Sequence, residues 1–120
     1  MKNGVREGYH TLTPRLFVKD AAAYVQFLKA AFGAEGTYEH NMPSHITIGD
    51  TMLMVAEEGS RAATSSCFYF YTKDVDAMYR RAQQAGATSL EEPAEMPWGD
   101  RRGIVRDPFG NDWQIARYLG

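Results

Sequence analysis

Cysteine is nearly absent. Cys67 stands alone in 120 residues, which excludes an intrachain disulfide and any paired-cysteine metal site and fits a reducing compartment. An excess of either charge is also missing: the formal net charge is −2 with acids and bases intermixed, so no basic face is available to draw nucleic acid. The start, MKNGVREGYHT, has no apolar core of signal-peptide length, and no run approaches the roughly 20 apolar residues of a membrane span. These absences lead to the expectation of a cytoplasmic protein with neither a nucleic-acid nor a membrane partner. The length allows one domain, residues 1–120, with internal division only into modules.

What is present is a repeated grammar. An alternating run, Leu12 to Val18, places Leu16 and Val18 on one face and Thr13, Arg15 and Phe17 on the other. Asp20 then caps a helix over Ala21 to Phe32, with apolar residues at helical spacing, and Gly33 suits its left-handed exit. The second half repeats this with an aromatic strand from Cys67 to Thr72, the cap Asp74, a helix from Val75 to Ala85 and the exit Gly86. Asp20 to Asp74 is a shift of 54 and Gly33 to Gly86 one of 53. Each half ends in a hairpin, Ile48-Gly49-Asp50-Thr51 or Phe109-Gly110-Asn111-Asp112, followed by a strand, Met52 to Ala56 or Trp113 to Arg117. Asp107-Pro108-Phe109-Gly110 also fits a type I turn. Further strands are expected over Thr37 to His40 and Thr88 to Glu91. Each module is then β-α-β-β-β, the first at about residues 10–58 and the second at about 66–118, joined by a small, polar linker at about 59–65.

Trp98-Gly99-Asp100-Arg101, followed by Arg106-Asp107-Pro108-Phe109-Gly110-Asn111-Asp112-Trp113, resembles the WGDR…RDPFGxxW pattern of the PhnB-like branch of the vicinal-oxygen-chelate superfamily. That superfamily includes glyoxalase I, extradiol dioxygenases, fosfomycin-resistance transferases and bleomycin-resistance proteins. Thr13-Pro14-Arg15-Leu16 and Ala30-Ala31-Phe32-Gly33-Ala34-Glu35 resemble the same branch, so the likeness spans Thr13 to Tyr118. It implies an α+β fold in which tandem βαβββ modules form a cupped mixed sheet, and a homodimer.

Metal-using members carry one ligand on the first and one on the last strand of each module. By the resemblance those positions fall on Thr13, Cys67, Leu53 or Met54, and Gln114. A glutamate at Gln114 would supply an anionic oxygen; the amide supplies a neutral one and two donors. One thiol and one amide do not make a divalent site, so no metal and no other cofactor is expected.

If Cys67 and Thr13 point into the cup, alternation brings Tyr69 and Tyr71 with the first, and Arg15 and Phe17 with the second. Trp98 and Arg102 are candidate clamps at its mouth, where an arginine fork favours a carboxylate, phosphate or phosphonate. Such a lining suits a flat, partly apolar organic ligand. Simpler readings stand beside this one. Tyr69 and Tyr71 also fit a sheet core, Cys67 a small buried hydrophobe, His10 and His40 solvent, His45 the cup or a dimer edge, and Glu91, Glu92 and Glu95 a solvated loop. Trp113, alternating with Gln114, should face a helix. The leading functional expectation is metal-independent sequestration of a small aromatic or antibiotic-like ligand. Its alternatives are a superfamily enzyme, whether lyase, isomerase or dioxygenase, with an atypical site built on either an unusual metal arrangement or, without a metal, Cys67 or a tyrosine as acid or base, and a noncatalytic partner or regulatory subunit.

Overall fold

The computed structural model describes residues 4–59 and 61–120. Residues 1–3, in the polar start, and Ser60, in the expected linker, lie outside the described residues. The protein is α+β, with two helices and two four-stranded mixed sheets. It divides into two compact units, residues 1–29 with 33–64 and residues 30–32 with 65–120.

The first unit carries β1 (Arg15–Val18), α1 (Ala21–Phe32, whose last turn groups with the second unit), β2 (Glu35–Gly36), β3 (Ser44–Ile48) and β4 (Thr51–Glu57). Its sheet runs β1-β4-β3-β2, with β1 parallel to β4 and the other pairs antiparallel. Strand alternation sorts the side chains: Leu16, Val18, Ile46, Leu53 and Val55 are buried on one face, while Arg15, Phe17, His45 and Met54 occupy the other. Leu53 is thus a core residue and Met54 the one beside Arg15, which resolves the register left open between them.

α1 is anchored at its start from two directions. Asp20, at φ 65°, accepts from the Ala23 amide at 3.1 Å, as its sequence position implies. The second anchor is distant in sequence: the Glu57 carboxylate, at the end of β4, accepts the Asp20 and Ala21 amides, both at 2.8 Å. These two amide bonds hold the Glu57 carboxyl below its usual range.

Two strand expectations in this unit need correction. The first strand begins at Arg15 rather than Leu12, since Pro14 offers a carbonyl to the Met54 amide but has no N–H for the ladder. Thr37 to His40 is not a strand; β2 stops at Gly36. At Gly36 a Cβ would lie 2.5 Å from the His45 carbonyl oxygen, and the Ser44 hydroxyl takes the Glu39 amide at 2.8 Å, replacing a ladder partner. Pro43 and the left-handed Asn41 then carry the chain into β3.

The second unit carries β5 (Cys67–Tyr71), α2 (Val75–Gln84), β6 (Thr88–Glu95), β7 (Asp100–Arg106) and β8 (Asp112–Tyr118), in the order β5-β8-β7-β6 with β5 parallel to β8. α2 lies against β6, β7 and β8 and buries Val75, Tyr79 and Ala82. Gly103 of β7 makes room for it: a Cβ there would meet Tyr79 and Pro93 at 3.0 Å. The same face of the sheet holds Phe68, Phe70, Val105, Trp113 and Ile115. Phe32 stacks on Trp113 with ring centroids 4.3 Å apart, and Phe68 does so at 4.7 Å. β6 is longer than the sequence implies. It absorbs the acidic stretch Glu91 to Glu95 as an outer strand with two register shifts, so these residues are not a free loop. No helix among the described residues is long and apolar enough to cross a membrane.

Glu57→Ala is expected to lower stability by about 1 kcal/mol in urea titration, the usual size of a helix cap. Because the folded carboxyl titrates below its unfolded value of roughly 4.3, this contribution is present above that pH and is lost as pH falls through the folded value. Wild type and variant should therefore converge as pH falls through the folded value, and a gap that stays constant throughout an acid titration would refute the electrostatic account.

Candidate functional site

The face of the second sheet opposite α2 is built by alternation. Trp113, 3% exposed, turns towards the helix side, so Gln114 projects from the other. In register beside Gln114 are Tyr69 on one side and Ile104 on the other, with Arg102 and Asp100 continuing the row along β7. The side chains on this face form one connected set. Arg102 donates from Nη1 to Gln114 Oε1 at 3.1 Å and from Nη2 to Glu91 Oε1 at 3.0 Å. Gln114 passes the chain on, its amide nitrogen lying 3.4 Å from Cys67 Sγ. The Arg102 guanidinium sits 5.0 Å from the Trp98 ring centroid in a cation–π arrangement.

A second branch runs through Tyr69. Its hydroxyl donates to Asp100 Oδ2 at 2.5 Å and accepts a long 3.4 Å bond from Trp98 Nε1. Asp100 is only 5% exposed, so this phenol hydrogen bond satisfies a carboxylate that water hardly reaches. Desolvation, reinforced by the bond to Asp100, pushes the Tyr69 phenol up from its ordinary value. The hydroxyl is therefore neutral near pH 7, with its proton directed at Asp100 and oxygen lone pairs left for another donor. Tyr71 completes the surface, 65% exposed and edge-on to Tyr69 at 5.3 Å.

The structure thus gathers Cys67, Tyr69, Tyr71, Trp98, Arg102 and Gln114 on or beside one face. Cys67 is exposed, not the buried hydrophobe that its residue type suggests, because it begins β5 on the side away from α2. The two tyrosines likewise leave the core to Phe68 and Phe70. Asp100 and Glu91 were not among the expected site residues. Asp100 was legible in principle, as it lies two positions before Arg102 on the same strand. Glu91 was not, since the bulges of β6 decide which β7 residue it meets.

The first unit's candidates form a separate group. Arg15 pairs with Met54 and its guanidinium lies 4.8 Å from the Phe17 centroid, at the side of a groove of about 620 Å³ that Tyr38, Met42 and Pro43 also line. Thr13 is half-buried just before β1. His45 stands beside Met54 and bonds to the Tyr9 hydroxyl. His10 and His40 are exposed.

The projected metal positions fail a test of donor chemistry. Met54 offers a soft thioether, Thr13 a neutral hydroxyl, and Gln114 an oxygen already facing a guanidinium. A divalent ion at Gln114 would stand within a few ångströms of that fixed positive charge. Among the described residues no group of three His, Cys, Asp or Glu side chains could hold a metal ion.

Comparison with known proteins matches residues 9–115 to the Glyoxalase/Bleomycin resistance protein/Dioxygenase superfamily. An uncharacterized protein of Mycobacterium bovis is 30% identical over 88% of this chain and 82% of its own length. TioX from Micromonospora sp. ML1 superposes with a TM-score of 0.78 at 23% identity, covering 92% of this chain and 99% of that one. A glyoxalase/bleomycin resistance protein/dioxygenase family enzyme from Burkholderia phytofirmans does so at 0.72 and 21%, covering 89% and 97%. At these identities the superpositions speak for the fold alone.

Tyr69→Phe is expected to cost about 1–3 kcal/mol by stranding the Asp100 carboxylate. In a double-mutant cycle with Asp100→Ala, the paired loss should be smaller than the sum of the single losses; additive losses would show that the two groups are not coupled.

Proposed function

The chain belongs to the glyoxalase/bleomycin resistance protein/dioxygenase superfamily, and we propose that it binds a small aromatic organic ligand, without a metal ion, on the open face of its second sheet. The observation that carries this reading is the 3.1 Å bond from Arg102 to Gln114. The Arg102 guanidinium already engages the oxygen with which a last-strand ligand would grip a cation, which leaves Gln114 a poor metal ligand. What the face offers instead is aromatic surface on Trp98, Tyr69 and Tyr71, with a few fixed polar groups among it. Stacking tolerates many ligands and the polar groups select orientation, which suits sequestration of an antibiotic-like compound as in bleomycin-resistance members. The motifs at Trp98–Arg101 and Arg106–Trp113 support a place in the PhnB-like branch. A homodimer belongs to the same proposal, because β1 and β5 are outermost in their sheets and outer strands favour a partner.

One observation favours a catalytic reading: the Tyr69 hydroxyl is already bonded to a buried carboxylate, an arrangement that can hold or pass a proton. Turnover of a dicarbonyl, catechol or epoxide that collapses in Tyr69→Phe would replace sequestration with catalysis.

Aromatic compounds screened by thermal shift are expected to raise Tm equally with and without excess chelator. Trp98→Ala should weaken binding roughly fivefold, or about 1 kcal/mol, through lost stacking. Stabilisation that vanishes on chelation and returns with one equivalent of a divalent metal would overturn the metal-free reading.

A further inference from the structure

The guanidinium of Arg102 is less available than its residue type implies. Nη1 gives an N–H to Gln114 and Nη2 one to Glu91, at 3.1 and 3.0 Å, so a carboxylate or phosphonate reaching for both terminal nitrogens competes with acceptors already in place. The inner Nε is the guanidinium nitrogen with no acceptor at all among the described residues, and its N–H is buried from solvent. A charged group's donor left this way is costly, and an acceptor brought by a ligand relieves the cost.

The charges nearby decide what kind of acceptor fits. Glu91 already balances the arginine. The Asp100 carboxylate, 5% exposed, lies two residues along the same strand face, about 7 Å away at the ordinary strand rise. An anionic ligand group would thus enter a neighbourhood in which negative charges outnumber positive ones, one of them on the buried Asp100. A neutral oxygen meets no such opposition. Tyr69 supplies the complementary half. Its proton is held by Asp100, and its oxygen is occupied only by the long 3.4 Å contact from Trp98.

We propose that the ligand is an aromatic compound carrying a neutral amide or lactam, whose carbonyl oxygen accepts from Arg102 Nε and whose N–H is accepted by the Tyr69 hydroxyl. This rests on the reading of the second sheet's open face as the ligand site, and it revises the expectation that Arg102 selects a carboxylate, phosphate or phosphonate. Trp98, 55% exposed and lying over the guanidinium, yields its contact with Tyr69 and stacks on the incoming ring. Occupancy therefore changes Trp98 fluorescence, while Trp113 is buried in the aromatic core and stays constant.

The test uses matched pairs titrated into the full chain at pH 7.5 with chelator present: benzamide and benzoate, 2-naphthamide and 2-naphthoate, quinoline-2-carboxamide and quinoline-2-carboxylate. The amides are expected to bind at least tenfold tighter than their acids and to alter Trp98 fluorescence. Arg102→Lys keeps the charge but has no N–H at the Nε position, and should abolish the preference. Glu91→Gln removes the balancing carboxylate and should improve acid binding at least fivefold. Circular dichroism establishes that both variants fold; if the lysine variant does not, Glu91→Gln and the wild-type ratio decide. Acids binding as tightly as amides, or an amide preference that survives Arg102→Lys in a folded variant, overturns this inference and leaves aromatic binding intact. Failure of all six compounds to bind overturns both.

Discussion

The Asp107 carboxylate holds the second unit's geometry in place. Buried at 3% exposure, it accepts the Phe109 and Asn111 amides on one oxygen at 2.8 and 3.0 Å, and the Trp113 indole N–H on the other at 2.9 Å. The turn and the first inward residue of β8 are thereby tied to one another. Asn111 extends the tie, since its side-chain oxygen takes the Ser66 amide at 2.8 Å just before β5. With Trp113 held inward against Phe32, Phe68 and Phe70, period-two alternation leaves Gln114 no choice of face. The RDPFGNDW motif is therefore a register device. Its Asp112 lies in register beside Cys67, and its buried members decide which side chains form that face.

Once the face is set, its polar members constrain each other. Arg102 bridges Gln114 and Glu91 across three strands, and Asp100 fixes the rotor of Tyr69. A glutamate in place of Gln114 would meet Arg102 as an ion pair, so the guanidinium would compete with a cation for that carboxylate. Amide and guanidinium form a matched pair, and Gln114 is a poor metal ligand because of that engagement as much as because it lacks a carboxylate. Networks of this kind hold donors in place before a ligand arrives, which reduces the ordering cost of binding.

Elements governed by local chemistry were legible in the sequence. Both helices, their Asp caps and the glycine hairpins appear where capping and positive-φ rules put them, because each depends on residues within a few positions. The alternation of β5 was equally readable, as aromatic residues on both faces leave only the phase to settle and Trp113 settles it. Illegible features depend on long-range register. Glu57 reaches the start of α1 only because β4 runs parallel to β1, and Glu91 reaches Arg102 only through the bulges of β6. The expected strand over Thr37 to His40 failed for a related reason: its β propensity lost to a serine hydroxyl and a proline that lie on the opposite side of a turn.

The duplicated ladders also show why one half of such a repeat can change its chemistry without losing its fold. Arg15 pairs with Met54 as Tyr69 pairs with Gln114, and His45 flanks Met54 as Ile104 flanks Gln114. These slots match in register but not in character. The alternate slots, Leu53 and Val55 in one sheet and Trp113 and Ile115 in the other, are all buried and all apolar, since each must fill a core. Packing thus restricts every second residue of a strand and leaves its neighbours free to differ. Met54 thus offers a thioether in the slot where the second unit has the Gln114 amide. The connected side chains from Cys67 to Glu91 are all drawn from the second unit, where the unpacked slots of one sheet are free to act together.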